Sequence, residues 1–516
     1  MQEKLFENCK QLPPFPGVNM HRHFSIRGVF MHFMFVIHGF IMHLSSIIPG
    51  VNMHLSSIFP GVNMHLTVER IANMDYTIFV EGGNVVLERK IEKDLYNWKN
   101  KKDKKCLLIK GARQVGKTFI IDKFAKENYK NYIHINFDEN PSLKTIFDDD
   151  LDVETLIKQI TLRIANVQFV PGKTLLFLDE IQNCPRARTA LKFLTIDKRF
   201  DVIASGSLLG INYKEVPSYP VGYVEYLDMY SLDFEEFLWA NGINKTSIEH
   251  IREYFNHIEA LPKSMHDKLI ALFKEYIVVG GMPRAVYDFV SNHNFAAVLQ
   301  IQRDILRDYL DDIAKYAEGS EKTKARECFL SIPKHLAKDY KKFRYSLVES
   351  RGTSRKFAGS LMWLYDAGII NFCYNLAAPE LPLEGNAKSD VFKVYMKDTG
   401  LLIAMLEDGS QEDIIDGNLG IYKGAVYENI IADIFTKSGK KLYYFEYNNK
   451  LEIDFFIRYK KKATAVEVKS AENTKSKSMT SILQNWKVEQ GIKLSTKNIS
   501  QIENVLNLPL YMAMFL

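Results

Sequence analysis

Residues Cys106–Ala125 read CLLIKGARQVGKTFIIDKFA. The apolar run Cys106–Ile109, the glycine-bearing loop after it and the amphipathic run that follows predict a strand, a loop and a helix in that order. Within the stretch, Gly111-Ala112-Arg113-Gln114-Val115-Gly116-Lys117-Thr118 fits G-x-x-x-x-G-K-[ST] at every fixed position. Phosphate chemistry gives each fixed residue a reason. Gly111 and Gly116 let the loop's N–H groups close around phosphate oxygens with no Cβ in the way. Lys117 reaches the β and γ phosphates, and the Thr118 hydroxyl ligates Mg²⁺. A plain glycine turn at a strand–helix junction is the alternative. With both flanking elements in place, the loop from Gly111 to Thr118 is the expected cradle for ATP.

A second strand is expected at Lys173–Glu180, KTLLFLDE, where four apolar residues end in paired carboxylates. Such a run suits a strand buried on both faces, and the C-terminal edge of an open α/β sheet is where ligands sit. There Asp179 would hold Mg²⁺ through water, and Glu180 would orient or deprotonate the attacking water. A third strand, Phe200–Ala204, ends in Ser205-Gly206-Ser207. Ser207 is placed to sense the γ phosphate, although a simple turn explains the same residues. Strands alternating with helices predict a parallel, doubly wound sheet with right-handed crossovers.

The rest of the chain is read around this core. At 516 residues it is long enough for about three folded units, given ~100–200 residues per domain. Hydrophobic residues at 47% and charged ones at 25% exclude a disordered or collagen-like chain. Lys+Arg exceeds Asp+Glu by 67 − 62 = 5, too mild a surplus to identify a partner. The five cysteines are scattered with no C-x-x-C pair, so neither a disulfide framework nor a zinc ribbon is expected, and the cytoplasm is the expected location. The longest apolar run, Val29–Ile41, has 13 residues and contains His32 and His38, too short for the ~20 a membrane span needs.

Before the core, HLSSIIPGVNM at 43–53 recurs as HLSSIFPGVNM at 54–64. Two copies cannot bury a shared face, and each carries a Pro-Gly break. Seven of the 13 histidines precede residue 67, but the repeat sets His43, His54 and His65 eleven apart, which suits no metal site. Residues 1–73 are therefore expected to be a low-order leader, with Met74 as an alternative start.

With GARQVGKT, LLFLDEIQ and SGSLL in this order, the chain resembles a family of prokaryotic AAA-type ATPases. Its members carry a C-terminal domain of unknown function with a restriction-endonuclease-like fold. The likeness extends to residues 220–242 (PVGYVEYLDMYSLDFEEFLWANG), 276–286 (YIVVGGMPRAV) and 392–402 (FKVYMKDTGLL). It runs from about Glu88 to the C-terminus. One departure matters. Where many members read P-V-G-R, this chain has Pro220-Val221-Gly222-Tyr223, so an arginine finger there is absent, leaving Arg186, Arg188 or Arg199 as substitutes. The resemblance also implies that neighbouring subunits complete the site, which makes a homo-oligomer an expectation.

Residues 245–375 read as helices by apolar spacing, as in IQRDILRDYLDDI at 301–313. Within them, residues 342–370 look like a winged-helix unit in which Arg351, Arg355 and Lys356 either contact phosphates or form a solvated basic face. Further on, a helix is expected over 422–435 with Glu428 inside it. Strands follow at 443–447, 451–457 and 463–469, the last two joined by the basic turn 458–462. Asp454, then Glu467-x-Lys469, is the D…E-x-K pattern of restriction-endonuclease-like nucleases. Residues two apart on a strand share a face, so Glu467 and Lys469 can meet Asp454 from the neighbouring strand. Asp454, Glu467 and Glu428 are the expected Mg²⁺ ligands, and Lys469 would position or deprotonate the attacking water. An amphipathic hairpin with Glu and Lys facing solvent fits the same residues.

The sequence therefore predicts an α/β protein in four parts. These are the leader 1–73, a P-loop AAA-type ATPase domain at 88–242, a helical and winged-helix region at 245–375, and a restriction-endonuclease-like domain at 376–516. Two functions follow. One is an Mg²⁺-dependent ATPase coupled to a C-terminal domain that binds and cleaves DNA. The other is a nucleotide-switched module that binds a protein partner or nucleic acid without cutting it. No membrane partner is expected.

Overall fold

The computed structural model describes residues 53–54, 65–66, 80–81, 84–85, 87–207, 222–316, 321–338, 341–417, 423–448, 450–469 and 477–516. The chain divides into two units, Met1–Thr77 and Ile78–Leu516. In the first, Met53–His54 pairs antiparallel with His65–Leu66, setting His54 opposite His65. The remaining leader, including Cys9, His43 and the Met74 start, lies outside the described residues.

In the second unit, after a short antiparallel pair of Val80–Glu81 with Asn84–Val85, come α1 (Ile91–Lys99), β1 (Cys106–Gly111) and α2 (Lys117–Asn128). β2 (Asn131–Asn136), α3 (Val153–Arg163), β3 (Thr174–Asp179), α4 (Pro185–Asp197), β4 (Asp201–Ser207) and β5 (Val224–Asp228) follow. The five strands form one parallel sheet in the order β2-β3-β4-β1-β5. This is the parallel sheet expected, with β2 and β5 as strands that the sequence reading did not single out.

Every residue of β3 is buried. Strand alternation explains why its apolar run is unbroken. Leu176 and Leu178 pack with Ile133, Ile135, Leu156 and Leu191 on the α3/α4 face. Leu175 and Phe177 pack with Ile109, Ile120, Ile121 and Phe124 on the α1/α2 face. Each such side chain withdrawn from water contributes about 1.5–3 kcal/mol. Because all five strands are parallel, their C-terminal ends share one edge of the sheet.

A helical region follows: α5 (Phe234–Ala240), α6 (Lys245–His257), α7 (Lys263–Val279), α8 (Pro283–Asn292), α9 (Phe295–Tyr316), α10 (Glu321–Leu336), α11 (Tyr345–Val348) and α12 (Ser354–Asp366). After it come β6 (Ile370–Leu376), β7 (Ala387–Met396), α13 (Thr399–Ala404), α14 (Ser410–Asp416) and α15 (Lys423–Lys437). The chain ends with β8 (Leu442–Tyr447), β9 (Leu451–Tyr459), β10 (Lys462–Val468), α16 (Lys477–Asn485), β11 (Gln490–Ser495), β12 (Ser500–Ile502) and β13 (Val505–Pro509). An eight-stranded mixed sheet runs β7-β6-β8-β9-β10-β11-β13-β12. β6 spans the position at which the sequence reading parts the middle from the C-terminal region, and it pairs with β7 on one side and β8 on the other. One continuous core joins the helices to this sheet, from Leu232 through Tyr276 and Leu402 to Tyr511.

Three sequence stretches of the resemblance meet at one side chain in this core. Asp398 caps α13 through Leu401 N–H at 3.3 Å and accepts from Gly281 N–H and the Ser231 hydroxyl, both at 2.9 Å. The Gly281 carbonyl in turn accepts from Leu232 N–H at 2.7 Å. The backbones approach so closely that a Cβ on Gly281 would stand 2.0 Å from the Leu232 carbonyl oxygen. Glycine is therefore required there by space.

Among the described residues, no helix is long and apolar enough to cross a membrane.

Candidate functional site

The P-loop closes between β1 and α2. Gly116 has φ +92°, a left-handed conformation that glycine adopts without strain, and Gln114 is also left-handed at +63°. These turns bring the loop back over the start of α2, so Lys117 lies inside its own loop. Its ammonium donates to the carbonyls of Gly111 at 3.1 Å and Ala112 at 2.9 Å. Burial lowers the pKa of Lys117, with the Glu180 and Asp179 carboxylates opposing that drift. Arg89 braces the loop from behind. Its guanidinium donates to the Val115 carbonyl at 3.1 Å and to the Tyr230 carbonyl at 2.7 Å, and pairs with Glu236 at 3.2 Å.

Register places the expected metal carboxylate beside this loop. Asn136 is opposite Asp179, Leu178 opposite Ala204, Ser205 opposite Ile109, and Ser207 opposite Gly111. Asp179 is 1% exposed. The Thr118 hydroxyl donates to its Oδ2 at 2.9 Å, the Asn136 amide reaches the same oxygen at 3.4 Å, and the Ser205 hydroxyl donates to Oδ1. His134 Nε2 lies 3.5 Å from Oδ2. Burial alone would raise this carboxyl, but His134, Ser205 and Thr118 together hold it below the usual carboxylate range. Thr118 and Asp179 offer hard oxygen donors side by side, which fits Mg²⁺. Glu180 follows at φ +52°, and its carboxylate accepts from the Gln182 amide. Ser207 is buried at the end of β4. Asn136 and His134 are members of this site that the sequence reading missed, and Ser205, which it read within the polar strand end Ser205-Gly206-Ser207, bonds Asp179.

A cleft of about 610 Å³ opens on the loop, lined by Arg113, Lys117, Thr118 and Glu180 from the sheet domain and by Asp308, Asp312 and Lys315 from α9. Two of the substitute arginines are engaged within the chain. Arg186 donates to the carbonyls of Phe147 and Asp149, and Arg199 pairs with Glu154 at 2.7 Å and Asp197 at 2.8 Å. Arg188 is buried in α4.

The C-terminal constellation falls on α15, β9 and β10. The hairpin is antiparallel with Phe455 opposite Val466, and Lys460 and Lys461 form its left-handed turn at φ +47° and +67°. Asp454 accepts from Val468 N–H at 2.8 Å, and Lys469 pairs with Glu467. Glu428 takes up different partners from those expected. Its carboxylate pairs with Lys341, accepts from the Tyr395 hydroxyl at 3.0 Å, and lies 3.7 Å from Lys393. Lys393 is 1% exposed and also pairs with Glu452 at 2.5 Å. Burial acts against its charge, but the Glu428, Glu452 and Asp454 carboxylates raise its pKa. Burial and the neighbouring Glu428 charge push Asp454 up to about 8, outweighing Lys393 and Lys341. Among the described residues, no group of three or more His, Cys, Asp or Glu side chains is placed to hold a metal ion. Lys341 and Lys393 thus stand beside Glu428, where the sequence reading expects an Mg²⁺ ligand, and supply positive charge to the group. Both lysines are far in sequence from the D…E-x-K stretch, and although Lys393 falls in the resemblance stretch 392–402, nothing there ties it to Glu428.

Residues 103–238 match a family model described as AAA domain. Residues 270–412 and 423–511 match two further models, each described as a domain of unknown function, DUF8612 and DUF4143. No curated protein matches the chain. Among solved structures the chain is similar to the Walker-type ATPase of Pyrococcus abyssi, at 13% identity over 62% of this chain and 96% of that one, with a TM-score of 0.36. It is also similar to the Aeropyrum pernix Orc1 protein in complex with DNA, at 14% identity over 62% and 91%, TM-score 0.27. AMPPCP-bound DnaA from Aquifex aeolicus matches at 15% over 57% and 92%, TM-score 0.24. The parallel sheet, the P-loop and the family match together make residues 103–238 an AAA-type P-loop domain. In this chain that domain is followed by two further matched regions.

Proposed function

We propose that the chain binds Mg²⁺·ATP at the P-loop and hydrolyses it, and that its C-terminal sheet is a DNA-binding module that does not cut. The observation that carries the ATPase reading is the direct Thr118–Asp179 hydrogen bond at 2.9 Å beside the buried Lys117. Thr118 and Asp179 would hold Mg²⁺, which neutralises phosphate charge when bound. The chain's own residues do the rest. Lys117 exchanges its two carbonyl partners for phosphate oxygens, and Glu180, steadied by Gln182, orients the attacking water and takes its proton. A cation from a second copy of the chain would complete the site, since Tyr223 stands at the arginine position of the resemblance. Turnover per subunit that rises with protein concentration tests that point.

The DNA-binding reading rests on the exposed hairpin residues Arg458, Lys460, Lys461 and Lys462 and on exposed Arg351, Arg355 and Lys356. The pairing of Glu428 with Lys341 and its closeness to Lys393 support the reading without cleavage. A second reading, Mg²⁺-dependent cleavage, is favoured by one detail: Glu467 Oε2 is buried without a hydrogen-bond partner. One experiment decides among these. ATPase rate is measured with and without duplex and branched DNA, and the same tubes are run on a gel. Stimulation without product supports the first reading. Product that disappears in Asp454→Ala supports the second. Turnover indifferent to DNA, with no product, points to a protein partner instead.

A further inference from the structure

The last turns of α9 lie over the P-loop and bind its two variable polar residues. Gln114 donates to Asp308 Oδ2 at 2.5 Å, and Arg113 pairs with Asp312 Oδ2 at 3.0 Å. The Tyr309 hydroxyl donates to the Arg113 carbonyl at 3.5 Å. Asp312 is largely enclosed, its side chain 8% exposed. These are contacts across 194 to 199 residues of sequence, between the sheet domain and the helical region. The cleft they close is lined by Asp138, Glu180, Asp308, Asp311 and Asp312 against Arg113, Lys117 and Lys315, five carboxylates to three cations. Mg²⁺·ATP still carries net negative charge, so this lining repels it at short range. The cations nearest the loop are committed to the chain itself: Arg113 to Asp312, and Lys117 to the carbonyls of Gly111 and Ala112. α9 is also part of the continuous core, through Ile305, Tyr309 and Ile313. Its position is therefore felt by the C-terminal half.

We propose that Asp308 and Asp312 latch the P-loop, so that α9 must release Arg113 and Gln114 before phosphates can bind. The proposal rests on the reading that the P-loop takes nucleotide, and it adds how that site is regulated. Nucleotide binding and release of α9 become one equilibrium, and apparent affinity is the intrinsic affinity scaled by the fraction of unlatched molecules. Because α9 sits in the shared core, release is transmitted to the C-terminal sheet by packing.

The test uses the full chain and a fluorescent ATP analogue with Mg²⁺. Affinity is titrated for the wild type, the double variant Asp308→Asn/Asp312→Asn, Asp311→Asn and Lys117→Ala. The double variant keeps side-chain volume and is expected to bind about tenfold more tightly than wild type. Asp311→Asn changes the charge of the cleft without touching Arg113 or Gln114, and is expected to shift affinity less than about threefold. Equal or weaker binding by the double variant, with wild type binding and Lys117→Ala not, overturns the latch and leaves the nucleotide site standing. Equal tightening by Asp311→Asn also overturns it in favour of simple charge repulsion. If no folded protein binds, the nucleotide reading falls and the latch with it. Hydrogen exchange on the unmodified chain gives an independent measure. Residues 305–316 are expected to exchange faster when the analogue is bound, and unchanged or slower exchange contradicts the latch.

Discussion

Asp179 gathers Thr118, Ser205, Asn136 and His134 from three different stretches of chain, and only one of these was visible as a motif. Lys117 and Thr118 are legible because a phosphate cradle fixes their spacing along the chain. Asn136, His134 and Ser205 are single polar residues near strand ends, and they gain meaning only when register lines them up with Asp179. Two outcomes belong to this scale. Glu180→Gln is expected to keep nucleotide affinity while lowering turnover roughly 10²–10⁴-fold, as loss of a general base does; equal turnover in a phosphate-release assay would remove Glu180 from that role. Arg89→Ala removes the donor to the Val115 carbonyl and the cation paired with buried Glu236, which keeps only the Lys90 and Asp233 N–H donors, and is expected to cost about 3 kcal/mol of stability in denaturant unfolding.

At the scale of elements, the periodicity of residues 301–313 foretold a helix, and α9 covers that range. What the periodicity does not give is where the polar face goes. Asp308 and Asp312, on that helix's polar face, rest on the P-loop. Burial pushes the Asp312 carboxyl up to about 6, outweighing the adjacent Arg113 and Lys315, with Asp308 and Glu180 pushing the same way. The folded chain therefore holds this proton more tightly than the unfolded chain, so the group's contribution to stability rises as pH falls from about 6 towards 4. Unfolding measured at pH 7 and pH 4.5 should show a gain at low pH about 1–2 kcal/mol larger in the wild type than in Asp312→Asn. Identical pH slopes would show that Asp312 is not held in this way. The hairpin 451–468 was legible through alternation and its basic turn. The lysines that neutralise Glu428 were not, because Lys341 precedes the β6/β7 pair and Lys393 lies on β7.

For the whole molecule, three of the resemblance stretches turn out to form a joint. Residues 231–232, 281 and 398 come from the three further resemblance stretches at 220–242, 276–286 and 392–402, and they meet around one carboxylate. No periodicity announces such a meeting, since each partner is a backbone group or a short side chain. Gly281→Ala would drive a Cβ into the Leu232 carbonyl, and an expected loss of about 3 kcal/mol, read as a lowered midpoint in thermal unfolding, checks this. A loss near zero would mean that the joint can relax. The division of the chain into parts is legible at its N-terminal end, where a strand–loop–helix opens the ATPase domain. It is obscured further on, because β6 and β7 follow the helices in sequence but belong to the eight-stranded sheet.

The central claim is that the P-loop turns over Mg²⁺·ATP. Phosphate release by the full chain, compared with Lys117→Ala at equal concentration and equal Mg²⁺, tests it most directly. Steady release by the wild type that falls to background in Lys117→Ala is the result predicted. Equal rates in the two proteins, or no release from a wild type that also fails to bind nucleotide, would contradict it.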